Sequence, residues 1–486
     1  TNGQGLGNVP RPFPSAHRPS PMPIALGALA LAAACASIAS AQAADSTRRI
    51  AWSDVAAVRN LLEPRGVSAS SFHQYVERLH ETNVQRVSEG DLDHLVFYML
   101  QSTRFTRLPP IEPALSAKAL VAALDALDAR ERALFLANGR VAADRIPADV
   151  RARIRAFDAA LNAPSGDQRL MIFREVLASL KVPRSESESR IGREYVRAMR
   201  FVYEKEFIAQ RTTNAAQAVA DLYRTRGLST DTAVEAGYLV HLGLGIAKAI
   251  DPGRRVRRVL IVGPGFDLAP RTGLVEEGPP ESYQPWAVID ALLSLGLSST
   301  NDLTVVGADI NPRVVSHLRR ARTSAPALTL TTEVRETDTV TLTADYRDYF
   351  SALGAAIDGP AARSVRNVNG HLQKTVPVRP DCASTVTGQP LDIVTERIDG
   401  RPFDLIVATN ILPYFDDAQL VLALSNVAAM LAPNGLFLHN EARPLLGSIT
   451  TALGLPFEQS RHAVIAQVRG APAPLFDSVF VHRRRQ

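Results

Sequence analysis

From Arg254 onward the chain alternates short apolar runs with helical ones: RRVLIVG, PWAVIDALLSLGL, LTVVGAD, NPRVVSHLRRAR, FDLIVATN, DDAQLVLALSNVAAML and GLFLHNE. Few folds accept that pattern. Runs of Val, Ile and Leu without polar alternation are strands buried on both faces, and the helices between them supply the cover. Two later runs, HAVIAQV and DSVFVHR, are separated by GAPAP and predict an antiparallel hairpin that closes the sheet. The expectation is an α/β, Rossmann-like sheet of seven mostly parallel strands over residues 236–486. In such sheets ligands sit at the carboxyl ends of the strands, where the strand order reverses.

The first half has a different texture. Apolar residues recur three and four apart in SSFHQYVERLHETNVQRV, DLDHLVFYMLQS, SAKALVAALDAL, DQRLMIFREVLASL and REYVRAMRFVYEKEF. That spacing predicts an all-helical domain over residues 45–235. His73, His80 and His94 fall in it, but none has a metal-ligand spacing such as His-Glu-x-x-His. They read as surface or core histidines, and no metal site is expected.

Residues 1–43 carry a basic flank, an apolar stretch from about Ile24 to Ile38, and Ala41-Gln42-Ala43. This is the layout of a secretory signal peptide cleaved after Ala43 or Ala44, which predicts a periplasmic or secreted protein. An uncleaved N-terminal anchor helix is the alternative. Cleavage leaves Cys382 alone, so neither an internal disulfide nor a cysteine-based metal site can form. The net charge is +5, and only five of the 54 basic residues are Lys. The cations are spread without runs or interleaved aromatics apart from Arg483-Arg484-Arg485, so no nucleic-acid partner is expected.

The turn after the first strand of the sheet, Gly263-Pro264-Gly265, lets backbone approach a ligand closely. Leu268 stands where a dinucleotide fingerprint has its third glycine. Asp309 ends the next strand, where an acid can accept both hydroxyls of a ribose and Ile310 can pack on an adenine. The 44 residues from Gly265 to Asp309 exceed the roughly 20 of a dinucleotide fold. The excess is the insert FDLAPRTGLVEEGPPESYQ, which separates the turn from the next helix. A pyrophosphate needs a helix N-terminus at the turn, whereas a nucleoside without phosphates does not.

With FDLIVATNILPYF at the fourth strand and LAPNGLFLHNE before a terminal hairpin, residues 236–486 resemble class I S-adenosylmethionine-dependent methyltransferases. FDLIVATNILPYF is particularly similar to the fourth-strand segment of chemotaxis protein-glutamate methyltransferases. The resemblance implies S-adenosylmethionine as cofactor, with Gly263, Pro264 and Gly265 along its methionine part and Asp309 on its ribose. It places Asp392 and Ile393 beside the adenine and Asn410 with Ile411 at the methyl-transfer end. Many relatives carry an acid two residues before the first glycine; Ile261 is there instead, and Asp267 is the substitute candidate for the cofactor amine. Leu412 interrupts the Asn-Pro-Pro-aromatic motif of amino methyltransferases, so amine or DNA methylation is not implied. The acceptor is open between a small molecule and a protein carboxylate, either by O-methylation. Tyr414 is a candidate for its pocket, with Tyr283 and Trp286 in a lid at the end of the insert. Arg104, Arg107 and Glu112 are expected to meet the insert around Glu276 to Trp286 over the strand ends. Two alternatives stand beside this reading: an aminopropyltransferase-like enzyme on the same fold, and an exported binding protein without turnover.

Overall fold

After β1 (Ser46–Arg49), the aliphatic run Arg258–Val262 forms β2, buried along its whole length as a strand covered on both faces must be. There follow β3 (Thr304–Asp309), β4 (Ala327–Thr331), β5 (Val340–Leu342), β6 (Arg366–Val368), β7 (His371–Pro377) and β8 (Val386–Pro390). The last strands are β9 (Glu396–Asp399), β10 (Phe403–Ala408), β11 (Leu431–His439), β12 (Phe457–Val468) and β13 (Leu475–Arg483). The computed structural model describes residues 46–125, 127–131, 133, 145–268, 278–358 and 364–485. The expected signal peptide, with its cleavage site or anchor, lies outside the described residues.

The main sheet has the order β5-β12-β13-β11-β10-β2-β3-β8. Its centre, from β11 through β10, β2 and β3 to β8, is parallel. The expected hairpin is there: β12 and β13 pair antiparallel, and β13 joins the sheet on β11. The strand count differs from the expected seven. The three-residue β5 adds an eighth strand through pairs such as Leu342 with Ala466, too short to leave a period in the sequence. A separate antiparallel sheet, β4-β7-β6, was also not foreseen. The order reverses between β2 and its two parallel neighbours β3 and β10, which places a topological switch point at the end of β2.

The first half supplies α1 (Phe72–Gln101), α2 (Pro113–Asp125), α3 (Ala148–Asn162), α4 (Gln168–Ser179), α5 (Ser187–Tyr203), α6 (Ala215–Thr225) and α7 (Glu235–Ile250). The second half contributes α8 (Gln284–Ser294), α9 (Pro312–Ala321), α10 (Ala344–Ala352), α11 (Pro380–Ser384), α12 (Asp417–Met430) and α13 (Pro444–Ala452). The N-terminal part is not purely helical, because β1 pairs antiparallel with β9. Nor does it stand apart: the described residues form one compact unit.

Helix α1 makes the join. Its buried residues include Asn83, Arg86, Asp91, Asp93 and His94 as well as apolar ones. Gly90 lets the segment before α7 lie directly on α1: a Cβ there would come 1.9 Å from the Leu228 carbonyl oxygen. The Leu228 N–H in turn donates to the Arg86 carbonyl (2.8 Å). Most of the polar groups on this buried face are paired, the condition under which polar groups leave water at tolerable cost.

Candidate functional site

A cleft of about 830 Å³ opens over the carboxyl ends of β2, β3 and β10 and the segment after β8, with residues of the helical part as its other wall. The volume falls in the upper part of the range of ligand sites, roughly 300–1,000 Å³. Its sheet wall includes Gly263, Gly265, Asp309, Ile310, Asp392, Ile393, Asn410, Ile411 and Tyr414. Residues from four strand ends, scattered over 150 positions of sequence, therefore meet on one surface.

The glycine turn takes its shape from the chain itself. Gly263 and Gly265 have φ of +63° and +81°, values that favour glycine. A Cβ at Gly263 would sit 2.6 Å from the Ile411 side chain, and one at Gly265 would strike Thr232 (2.2 Å) and the Thr230 carbonyl (2.4 Å). The turn is thus pressed between the β10 loop and the segment before α7. Pro264 and Asp267 are buried and do not line the cleft. Among the described residues the next helix, α8, begins only at Gln284, so none of them opens a helix N-terminus at the turn to receive a pyrophosphate.

Asp309 ends β3. The N-cap of α9 is Asn311, whose side chain accepts from the Arg313 N–H, so Asp309 is released from that duty. One Asp309 oxygen accepts the Asn311 N–H at 2.8 Å. Burial pushes the Asp309 carboxyl up to about 7, with Asp91 adding to the effect and backbone N–H groups of Asn311, Gly265 and Ile310 opposing it. A buried acid on a cleft wall with raised pKa is a common mark of a functional site.

Asp392 is tied to α1. It accepts from Asn83 Nδ2 (3.1 and 3.3 Å), the Thr395 hydroxyl (2.8 Å) and the Val394 N–H (3.1 Å), and His80 Nδ1 lies 3.2 Å away. Asp91 of the same helix holds Arg313 (2.6 Å) and Asn311 (3.0 Å) beside Asp309. His94 lies 3.0 Å from Asp231, and its Nε2 accepts the Thr230 N–H at 3.1 Å. Burial opposes charge on the ring, but Asp231, Asp91 and Asp93 outweigh it and hold the His94 pKa above its ordinary value. His80 and His94 thus bind acids at the cleft, while His73 is exposed.

At the end of β10, Asn410 has φ +63°, a left-handed conformation that Asn tolerates better than most residues. Asn440 holds it there, accepting the Asn410 N–H (2.9 Å) and donating to its side chain (2.6 Å). The turn that follows is clamped by two arginines. Arg443 donates to the carbonyls of Leu412 (2.6 Å) and Phe415 (2.7 Å), and Arg86 donates twice to that of Tyr414 (3.2 Å each). Burial pushes the Tyr414 hydroxyl up to about 12 despite nearby Arg226, so it stays protonated at neutral pH. Sequence gave no sign of Asn440, Arg443, Asn83 or Arg86, whose partners are distant in the chain.

Other expected residues lie elsewhere. Tyr283 and Trp286, 8% and 1% exposed, belong to the core and are not on the cleft wall. The insert delivers them into α8, whose residues from Gln284 to Leu292 are all buried, so they pack where a lid would need them exposed. Arg104 and Arg107 are exposed and away from the cleft. Arg153 shapes their loop by donating to the carbonyls of Met99, Leu108, Pro109 and Ser102. Glu112 does reach the cleft, while Glu276 lies outside the described residues. Cys382 is a free, buried thiol. Among the described residues no group of His, Cys, Asp or Glu could hold a metal ion, and no helix is long and apolar enough to cross a membrane.

No protein-family model matches the chain, and neither does any curated protein. Solved structures do. N-methyltransferase NodS from Bradyrhizobium japonicum WM9 is matched at 15% identity over 52% of this chain and 96% of its own, with a TM-score of 0.26. Magnesium protoporphyrin IX methyltransferase (ChlM) from Synechocystis PCC 6803, solved with bound SAM, is matched at 8% identity over 55% and 96%, with a TM-score of 0.27. CurJ carbon methyltransferase is matched at 14% identity over 89% and 99%, with a TM-score of 0.29. With scores of this size, activity has to be read from the chain's own sheet order and cleft.

Proposed function

We propose that the chain is an S-adenosylmethionine-dependent methyltransferase whose cofactor lies along the sheet wall of the cleft. One observation carries this reading: the glycine turn, Asp309, Asp392 with Ile393, and Asn410 with Ile411 all open on one cleft at the topological switch point. The donor set suits a nucleoside without phosphates. Asp309 offers a carboxylate to a ribose diol, and Ile310 and Ile393 offer apolar faces to a base. Among the described residues the turn has neither a cation nor a helix end for a pyrophosphate.

When bound, the cofactor supplies a methyl group already activated on a sulfonium. The protein's share is alignment and exclusion of water. Asn440 fixes Asn410, while Arg443 and Arg86 fix Leu412 to Phe415, so the wall at the methyl-transfer end is rigid before anything binds. The Tyr414 hydroxyl, protonated at neutral pH, can donate a hydrogen bond there. The acceptor is a small molecule or a protein side chain entering from the helical wall. The N-terminal segment is part of the same proposal, as a secretion signal removed near Ala44; N-terminal sequencing of extracytoplasmic protein tests it.

Calorimetric titration with S-adenosylmethionine and S-adenosylhomocysteine tests the central claim. Binding of both is expected. Selective binding of decarboxylated S-adenosylmethionine would replace the reading with aminopropyl transfer, and absence of any nucleoside binding would leave a non-catalytic module.

A further inference from the structure

The helical end of the cleft is left unused by the cofactor reading. Arg226 lies on its wall, with a side chain only 11% exposed. Its Nε donates to Asp93 at 3.1 Å, and its guanidinium lies 4.2 Å from the centre of the Phe201 ring. Its two Nη groups make no hydrogen bond to any described residue. A guanidinium fixed through one nitrogen and one stacked ring presents the rest of its fork in a set direction, the geometry that takes carboxylate or phosphate bidentately.

A second cation stands beside it. Directly after α5, residues Glu204–Ile208 form a π-helix, a rare turn found mostly as single-turn bulges at functional sites. The wider turn brings Lys205 and Glu206 onto the cleft wall together with Phe201. Lys205 Nζ and Arg226 Cζ lie 6.0 and 5.9 Å from the centre of the Tyr223 ring. That ring meets Phe201 and Tyr414 edge to face, at 5.7 and 5.4 Å.

Asp93 is shared between Arg226 and Arg197 (2.7 Å), and neighbouring Arg86 donates only to carbonyl oxygens. Three acids on this part of the cleft wall are engaged within the chain. Glu112 caps the first N–H groups of α2, Asp231 faces His94, and Glu206 faces Lys205 and Gln210. An ammonium ligand at Phe201 or Tyr223 would compete with the chain's own cations, Arg226 and Lys205.

We propose that this end of the cleft is an oxyanion-binding subsite built on Arg226 and Lys205, and that the methyl acceptor is a small apolar molecule bearing a carboxylate or phosphate. Only its role as acceptor subsite rests on the methyltransferase reading. The oxyanion is the anchor, and the rings of Phe201, Tyr223 and Tyr414 receive the apolar body.

The test is calorimetric titration of the full chain, with and without saturating S-adenosylhomocysteine, using 1-naphthoate, 1-naphthyl phosphate and neutral 1-naphthamide. One of the two anions is expected to bind at least tenfold more tightly than the amide, and which one identifies the oxyanion. Arg226→Met should weaken that anion tenfold or more and leave the amide unchanged, with Arg226→Lys intermediate. If Arg226→Met fails to fold, Lys205→Met, at a partly exposed side chain, should weaken the anion severalfold. Equal binding of anions and amide, or no loss in a folded variant, would overturn the subsite. Failure of S-adenosylhomocysteine to bind would sink the cofactor reading and leave the anion titration to decide the subsite alone.

Discussion

The two walls of the cleft are built on different principles. The sheet wall is a set of strand ends: each residue reaches the cleft because its strand stops there, and local backbone geometry does the rest. Gly263, Asp309 and Asn410 each follow or end a buried aliphatic run. The helical wall is held by long-range polar contacts. Asn83 and His80 grip Asp392, Arg86 grips Tyr414, Asp91 grips Arg313, and His94 faces Asp231. Four of these five contacts join α1 to residues of the second half more than 200 positions away. The difference predicts separable failures: damage to the sheet wall removes the ligand, and damage to the helical wall loosens the fold.

The largest effect is expected at Arg86. Its guanidinium donates to the carbonyls of Tyr414, Tyr223 and Arg226. Arg86→Met leaves these acceptors without it, at roughly 1–3 kcal/mol for each that becomes buried and unpaired. Urea unfolding should show a loss of about 3–5 kcal/mol, partly restored in Arg86→Lys. A loss below about 1 kcal/mol would mean the helical wall is held by packing alone. Next comes Asp309→Ala, which should weaken S-adenosylmethionine at least a hundredfold, about 3 kcal/mol, while the protein stays folded. Unchanged affinity in calorimetry would remove the cofactor from the sheet wall.

The same contrast explains what could be read from sequence. Strand identity, the hairpin and the positions of Gly263, Asp309 and Asn410 follow from short-range patterns, because a buried strand and its terminal turn are adjacent in sequence. β5 is three residues long and paired by three contacts, below any periodic signal. His80 and His94 looked like ordinary surface or core histidines because their acids, Asp392 and Asp231, are far along the chain. Trp286 looked like a lid residue because a Pro- and Gly-rich insert precedes it, yet the helix it opens is buried on nearly every side. Arg226 gave no signal at all: its role depends on α5, α6 and β10 coming together in space.

A milder cut tests whether the walls are coupled. Asn83→Ala removes both hydrogen bonds to Asp392 but spares those from Thr395 and Val394. Stability should fall by about 1–2 kcal/mol, and S-adenosylmethionine affinity severalfold, because Asp392 and Ile393 lose one support. Loss of stability with affinity untouched would show that the sheet wall holds its shape unaided, sharpening the division between the two.

The smallest effect is a pH dependence read at Asp309 on the sheet wall. Burial raises the Asp309 carboxyl to about 7, and a ribose diol is held by the ionised form, which accepts both hydroxyls. Affinity for S-adenosylmethionine should therefore climb about tenfold between pH 6 and pH 8, following the ionised fraction of a group with that pKa. Stability of the unliganded protein runs the other way. The folded pKa lies above the unfolded value of 3.8, so between about pH 4 and 7 the folded state binds more protons than the unfolded one. This group's contribution is then greatest at or below about pH 4 and is lost as pH rises through 7. Asp309→Asn should flatten the affinity profile, lessen the stability slope and raise the unfolding midpoint of the free protein at pH 8, since the amide needs no charge in a buried place. Calorimetry and thermal unfolding across pH 5–8 measure the two slopes. If wild-type affinity is level while the Asn variant still gains stability, Asp309 is a buried acid of the sheet wall without a ribose to hold.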